Sequence, residues 1–228
     1  MRRQLCAAGV LALLAGAAVS AADFWETKAF TTWSPMEAQK VLTDSPWSQK
    51  ISATIAARGA GRGDDAAPRG GGGRGGGRGA GGARGGAAAP QLQMMLSWRS
   101  ALPMKQALVR SQTAAGGAVS ADQQEMLDRK EDMYVITLLG VPAQLSAAAE
   151  NVKEVTTLVR EGKSPVAPSE VLDAPQPDGT VIMIFTFPRS AAIDLADKDV
   201  EFVSKLGAAE VKKKFSLKDM VFHGKLEL

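Results

Sequence analysis

Cysteine and histidine are almost missing from this 228-residue chain, which contains one of each. Cys6 lies in an N-terminal segment that we expect to be removed, so the rest of the chain has no disulfide, thiol nucleophile or thiolate metal ligand. A Ser-His-Asp triad would have to use His223, and no G-x-S-x-G, H-E-x-x-H or Walker motif occurs. The sequence therefore assigns no catalytic, cofactor-binding or metal-ligating residue, and it favours a protein without a cofactor and without enzymatic activity.

The first 21 residues have the features of a cleavable secretory signal peptide. Arg2 and Arg3 precede an apolar run over residues 5–19, which is shorter than the roughly 20 residues needed to span a bilayer. Small residues allow cleavage after Ala21 or after Ala22, and the first is preferred. We therefore expect the mature protein to be secreted or periplasmic, with no transmembrane span after cleavage.

Residues 58–90 form a segment of low complexity, with 15 glycines and six arginines among 33 residues and no large apolar side chain. This composition cannot bury enough apolar surface to offset the loss of chain entropy, so it predicts a disordered insertion. Arg-Gly-Gly repeats elsewhere contact nucleic acids. Weak binding of this segment to an anionic polymer is one interpretation, and a solvated loop without a ligand is the favoured one.

The basic character of the chain is confined to two segments. The whole sequence has a formal charge of +3. Removal of Arg2 and Arg3 with the signal, and of the +4 carried by residues 58–90, leaves a body with a charge of −3. A folded body of this sign is not expected to bind nucleic acid through its surface as a whole.

The flanks of the low-complexity segment predict two paired strands. Apolar residues alternate with polar ones over residues 50–57 and again over residues 91–98, which is the period of half-buried strands. Loop-closure entropy grows only logarithmically with length, so an antiparallel pair tolerates a long connection. We therefore predict one domain over residues 22–228, interrupted by the insertion at 58–90, because residues 22–57 alone are too few for a core.

The remaining patterns predict several short helices followed by strands. Ser34 and Ser120 each begin a capping box, with Glu37 and Gln123 three residues later. Helices are predicted over residues 35–42, 100–110, 121–131 and 143–153. Extended segments are predicted over residues 133–139, 156–160, 180–187, 199–204, 210–217 and 219–227. This order indicates an α+β fold with a mainly antiparallel sheet.

An acidic cluster near residue 197 is the one place where the sequence leaves catalysis open. Asp194, Asp197, Asp199 and Glu201 occur within eight residues. Paired carboxylates serve hydrolases as acid and base, so a carboxylate-dependent hydrolase between Asp197 and Glu201 is an alternative function. A solvated turn before a strand is the favoured interpretation of the same residues.

Two further groups of side chains have structural and binding interpretations. Trp25, Trp33 and Trp47 lie in one aromatic-rich segment, which is more typical of a packed core than of an exposed carbohydrate-binding surface. Pro46 forces an extended entry into the strand after it, and Trp47 is predicted to pack the first helix against the sheet. Lysines at 212–214 are interpreted as edge-strand charges that prevent aggregation rather than as a binding patch.

Several stretches resemble one family of proteins. The residues that carry the resemblance are WSPMEAQKVLTDSPW at 33–47, residues 97–110, residues 188–189 and the tail VEFVSKLGAAEVKKKFSLKDMVFHGKLEL at 200–228. They resemble a family of secreted, mainly acidobacterial proteins, and the resemblance covers most of the chain except 58–90. It implies export and a single domain, and it brings no activity, cofactor or site residue.

The sequence thus predicts an exported binding or structural domain of the cell envelope or exterior, with an unknown protein or envelope partner. The carboxylate-dependent hydrolase and the tethering of an anionic polymer through residues 58–90 are the alternatives. The ligand and the oligomeric state are left open by the residues alone.

Overall fold

The computed structural model describes residues 23–54, 91–113 and 117–228. The α-helices in these ranges are α1 (Phe24–Thr27), α2 (Pro35–Thr43), α3 (Leu102–Gln112), α4 (Ala121–Asp128) and α5 (Ala143–Ala147). The strands are β1 (Ser48–Thr54), β2 (Gln91–Trp98), β3 (Met133–Pro142), β4 (Thr157–Val159), β5 (Glu170–Pro175), β6 (Thr180–Pro188), β7 (Asp199–Leu206), β8 (Ala209–Ser216), β9 (Val221–Phe222) and β10 (Lys225–Leu226). The predicted signal peptide and the predicted insertion at 58–90 lie outside the described residues.

The strands form antiparallel sheets, which confirms the predicted α+β fold. A five-stranded sheet has the order β1-β2-β3-β6-β5, and a three-stranded sheet has the order β4-β7-β8. A small hairpin of β9 and β10 follows. The predicted pairing across the long connection is also confirmed, because β1 and β2 run antiparallel with Ile51 opposite Met94.

The two larger sheets pack face to face around one core. Phe185 of β6 contacts Phe202 of β7 with ring centroids 5.2 Å apart, and Trp98 of β2 contacts Phe215 of β8 at 5.9 Å. All four side chains are fully buried. Edge-to-face aromatic pairs add about 0.5–1.5 kcal/mol each beyond the burial of apolar area, so these contacts join the sheets firmly.

Local signals place the helix starts. Ser34 accepts a hydrogen bond from the backbone of Glu37, and the Glu37 carboxylate accepts one in return from the Ser34 backbone, so the first predicted capping box is confirmed. The second, at Ser120 and Gln123, is confirmed in the same way. Ser100 is not the cap of the third helix. Its hydroxyl accepts a hydrogen bond from Val135 of β3, and α3 begins after Ala101 instead.

Two other predictions need correction, and one strand was not predicted. The helix predicted over 143–153 ends at Ala147, and turns follow in which Asn151 adopts a left-handed φ of 54°. The strand predicted over 219–227 is a 3₁₀ turn followed by the β9–β10 hairpin. His223 and Gly224 both have positive φ there, as a tight two-residue turn requires. Strand β5 was not predicted, because its side chains are mostly exposed and do not alternate.

The aromatic residues of the N-terminal segment belong to the core, as predicted. Trp33 and Trp47 are completely buried, and Trp25 is 5% exposed. The Trp47 indole donates a hydrogen bond of 2.9 Å to the carbonyl of Glu227, and its ring contacts Phe222. Trp47 therefore joins the first helical segment to the end of the described chain.

Candidate functional site

Asp197 does not lie in a solvated turn. It ends a 3₁₀ helix (Leu195–Asp197) that begins after Asp194, and its side chain is 1% exposed. The carboxylate lies 2.5 Å from the ammonium of Lys163 and 3.9 Å from the guanidinium of Arg160, and it accepts a hydrogen bond from the Asp194 backbone. We call Arg160, Lys163, Asp194 and Asp197 the Asp197 cluster.

The Asp197 cluster keeps its central carboxylate charged. Burial opposes ionisation and is the largest single influence on the pKa of Asp197. The hydrogen bonds from Lys163 and the Asp194 backbone, together with the nearby positive charges, outweigh it and lower the pKa below its ordinary value. A general base near neutral pH needs a pKa closer to the working pH and access to substrate. This arrangement therefore gives the hydrolase prediction no support.

The other predicted acids lie along β7. Asp199 and Glu201 are half-exposed, and Glu201 is opposite Lys214 on the neighbouring strand. None of the three clefts described below is lined by Asp197, Asp199 or Glu201. Within residues 23–54, 91–113 and 117–228, no group of three or more metal-ligating side chains is close enough to hold an ion.

His223 is exposed at the tip of the β9–β10 hairpin. Its backbone donates a hydrogen bond to the Glu26 carboxylate, and its ring packs on Phe222. Both contacts fix the conformation of the turn. They give the imidazole no orienting carboxylate and no neighbouring nucleophile, as acid–base catalysis would require.

The largest of the three clefts lies where α2, the start of β1 and the end of β8 meet. Its volume is about 870 Å³. We call it the α2–β8 cleft. It is lined by Asp23, Trp25, Lys40, Asp44, Ser45, Pro46, Gln49, Lys50, Lys213, Lys214, Ser216 and Asp219. This volume is within the range of pockets that hold ligands.

The charged side chains of the α2–β8 cleft form no ion pairs within the described residues. Four lysines and three aspartates line it, and none of these seven forms an ion pair with another residue in the described part of the chain. The three aspartates are exposed to solvent, whereas Lys213 is half-buried. The positive charge of the half-buried Lys213 thus has no ion-pair partner among the described residues, which favours an anionic group of a ligand.

Local structure explains how each wall of the cleft is formed. Lys40 and Asp44 are four residues apart at the end of α2 and therefore lie on one side of it. The chain then reverses through a short turn in which Ser45 and Ser48 exchange backbone hydrogen bonds, and β1 begins. β1 lies next to β8, although no strand ladder joins these two in the described ranges. The cleft opens where β1 and β8 lie side by side.

The sequence contained only part of the signal for this cleft. The sequence predicts that the lysines at 212–214 are edge-strand charges, and β8 is indeed the outer strand of its sheet. Lys40 and Lys50 carry no sequence signal of a site, because they are more than 160 residues away and each is an isolated surface lysine. Only the packing of β1 beside β8 brings the three segments together.

Two smaller clefts share a lysine whose charge is paired. The first, of about 200 Å³, and its neighbour, of about 550 Å³, share the side chain of Lys105. Its ammonium lies 2.6 Å from Glu131 and donates to the carbonyls of Met126 and Arg129 at the end of α4. These contacts stabilise a helix end, and we do not assign a ligand to either cleft.

Comparisons with known proteins add no functional information. The chain matches no protein-family model, no curated protein and no solved structure, so the resemblance to secreted acidobacterial proteins stays a prediction. No helix among the described residues is long and apolar enough to cross a membrane.

Proposed function

We propose that this protein is an exported, non-enzymatic binding domain that holds a carboxylate-bearing segment of a partner protein in the α2–β8 cleft. Export follows from the predicted signal peptide. The observation that carries the binding proposal is the set of four lysines in one cleft without an ion-pair partner in the described residues: Lys40, Lys50, Lys213 and Lys214.

The aspartates of the cleft favour a protein partner over a densely charged polymer. Asp23, Asp44 and Asp219 are exposed and carry free carboxylates. They repel a chain that has a negative charge on every unit, such as nucleic acid or polyphosphate. A peptide segment with separated carboxylates can place its charges on the lysines and its neutral residues beside the aspartates, and specificity of this kind combines attraction with repulsion.

The remaining lining suits a peptide. Pro46 supplies apolar surface, and the half-buried Gln49 and Ser216 supply hydrogen-bonding groups. The body of the protein carries a net negative charge outside the signal and the insertion. A cluster of positive charge on such a body steers an acidic partner to one place rather than to the whole surface.

The first test measures binding of a fluorescein-labelled poly-glutamate peptide by anisotropy. Replacement of Lys40, Lys50 and Lys214 together by Met should weaken binding about tenfold or more, because each charge contributes to attraction and steering. The same peptide with glutamine in place of glutamate should not bind. Unchanged affinity in the triple variant would refute the assignment of the cleft.

A matched variant controls for net charge. Lys153, Lys205 and Lys218 are exposed and form no ion pair within the described residues, and none of them lines the cleft. Their replacement by Met removes the same number of charges and should leave affinity within about twofold. If inorganic polyphosphate displaced the peptide more effectively than unlabelled poly-glutamate, the proposed class of partner would be wrong.

A further inference from the structure

The three consecutive lysines of β8 lie in three different surroundings. Lys212 is exposed, and its ammonium lies 2.9 Å from the Glu210 carboxylate, whose hydrogen bond raises the pKa of Lys212. Lys214 is exposed and lies opposite Glu201. Lys213 is the half-buried one of the three. The three lysines therefore allow the effect of burial on ligand binding to be compared within one run of identical residues.

Lys213 lies on the core-facing side of its strand. Successive side chains of a strand alternate between faces. Val211 and Phe215, two residues before and after it, are buried, and Lys213 is opposite the buried Phe202 of β7. The lysine thus takes a position where the pattern of the strand favours an apolar residue, and it lines the α2–β8 cleft.

A positive charge in this place is costly without a counter-ion. The Lys213 side chain forms no ion pair or hydrogen bond with the residues that the structure describes, and the residue is half-buried. Burial of a charge is compensated only by a partner of opposite sign or by hydrogen bonds. An apolar residue of similar length would fill this position with less loss of stability.

We infer that Lys213 is the residue that determines affinity in the α2–β8 cleft, and that the carboxylate of the ligand is its missing counter-ion. This inference rests on the proposed function and adds a rank order to it. Lys213 contributes most because it is the least exposed of the four lysines that line the cleft, Lys214 contributes less, and Lys212 contributes nothing because Glu210 already pairs with it.

Single substitutions in the run test the rank order with the same poly-glutamate peptide. Lys213→Met should weaken binding on the order of 30-fold, as expected when one partner of a desolvated charge pair is removed. Lys214→Met should weaken it about threefold, as for an exposed pair. Lys212→Met should bind like the unaltered protein and serves as the matched control on the same strand.

A measurement of stability distinguishes a role of Lys213 in binding from a role in preventing aggregation at the edge of the sheet. Lys213→Met should melt at a temperature equal to or above that of the unaltered protein, since it replaces an uncompensated charge by a side chain that suits the position. Lys213→Gln keeps a polar tip and avoids a new apolar edge, and it should lose binding to a similar extent. If either variant aggregates, the other still gives the binding result.

The outcomes distinguish this inference from the proposed function. Poly-glutamate that fails to bind the unaltered protein would remove both. Binding that is lost in the Lys40/Lys50/Lys214 variant but kept within about twofold in Lys213→Gln would leave the cleft as the site and overturn the rank order alone. Aggregation of Lys213→Met together with full binding by Lys213→Gln would show that Lys213 only prevents aggregation at the edge of the sheet.

Discussion

The Asp197 cluster and the α2–β8 cleft both concentrate charge, but the fold neutralises the charges of only one of them. In the Asp197 cluster, a buried carboxylate is enclosed by a guanidinium, an ammonium and a backbone amide. In the cleft, the half-buried Lys213 and its neighbouring lysines form no ion pair with the described residues. The first arrangement holds two loops together, and we propose that a partner supplies the opposite charge to the second.

The amino-acid sequence alone does not reveal this difference. It favours a solvated turn for the acids between Asp194 and Glu201, with a hydrolase as the alternative, and edge-strand charges for the lysines at 212–214. Spacing along the chain cannot distinguish a charge that is buried and paired from one that is exposed and free. The comparison teaches that the presence of counter-charges, rather than the density of charge, separates a structural cluster from a candidate site.

The largest effect on stability is expected for a substitution of the buried Trp47. Trp47→Ala should reduce the free energy of unfolding by about 3–5 kcal/mol, because it removes a completely buried indole that contacts Trp25 and Phe222. Urea denaturation measures this loss. Leu195→Ala, at a residue that is 51% exposed, is the control and should change stability by less than about 0.5 kcal/mol. Equal effects of the two substitutions would contradict the role given to Trp47.

The Asp197 cluster should respond in stability and not in binding. Asp197→Asn leaves the buried Arg160 without its counter-charge and should cost about 3 kcal/mol in urea denaturation. Asp194→Asn, at a carboxylate that is 59% exposed, should cost about 1 kcal/mol or less. Neither variant should alter poly-glutamate affinity. A weakened affinity in Asp197→Asn would break the comparison, because it would place the cluster in the binding machinery.

The same carboxylate should make stability depend on acid. The pKa of Asp197 is lower in the folded protein than its ordinary value. Its contribution is therefore fully present above the pKa of the unfolded chain, about 3.9, and is lost as the pH falls below that towards the folded value. Asp197→Asn should lack this part of the acid dependence. Parallel stability curves for the two proteins between neutral pH and pH 3 would show that the carboxylate is not held as described.

The smallest effect is expected for an exposed pair. Glu37 contacts Lys28 and caps α2, and the hydrogen bond from Lys28, followed by that from the Ser34 backbone, lowers the pKa of Glu37 from 4.5 to about 2. Glu37→Gln keeps an acceptor for the cap and should cost less than about 1 kcal/mol, a difference that fades as the pH falls from about 4.5 towards about 2. Glu125→Gln, in a more exposed pair with Arg129, should have no measurable effect. A larger loss at Glu37 than at Asp197 would reverse the order that burial predicts.

Predictions from the sequence succeeded where the cause was local. Ser34 and Ser120 cap helices because their hydroxyls reach the backbone three residues ahead, and this geometry needs no distant residue. The alternation over 91–98 identified a strand in the same way. Strand β5 escaped prediction, because Leu172 and Asp173 are held by pairing with β6 and not by a buried face of their own. The shortened helix at 143–147 ends through a left-handed turn that composition alone did not reveal.

The amino-acid sequence by itself determined the α+β class, the pairing of β1 with β2 across a long connection, and the place of the tryptophans in the core. These follow from hydrophobic periodicity, capping residues and the size of aromatic side chains. The tertiary structure alone decided which charges are paired. Arg160, Lys163 and Asp197 meet only because two loops pack together, and Lys50 approaches Lys213 only because β1 lies beside β8. Electrostatic energy depends on distance and hydration in the folded state, and neither is encoded by neighbours along the chain.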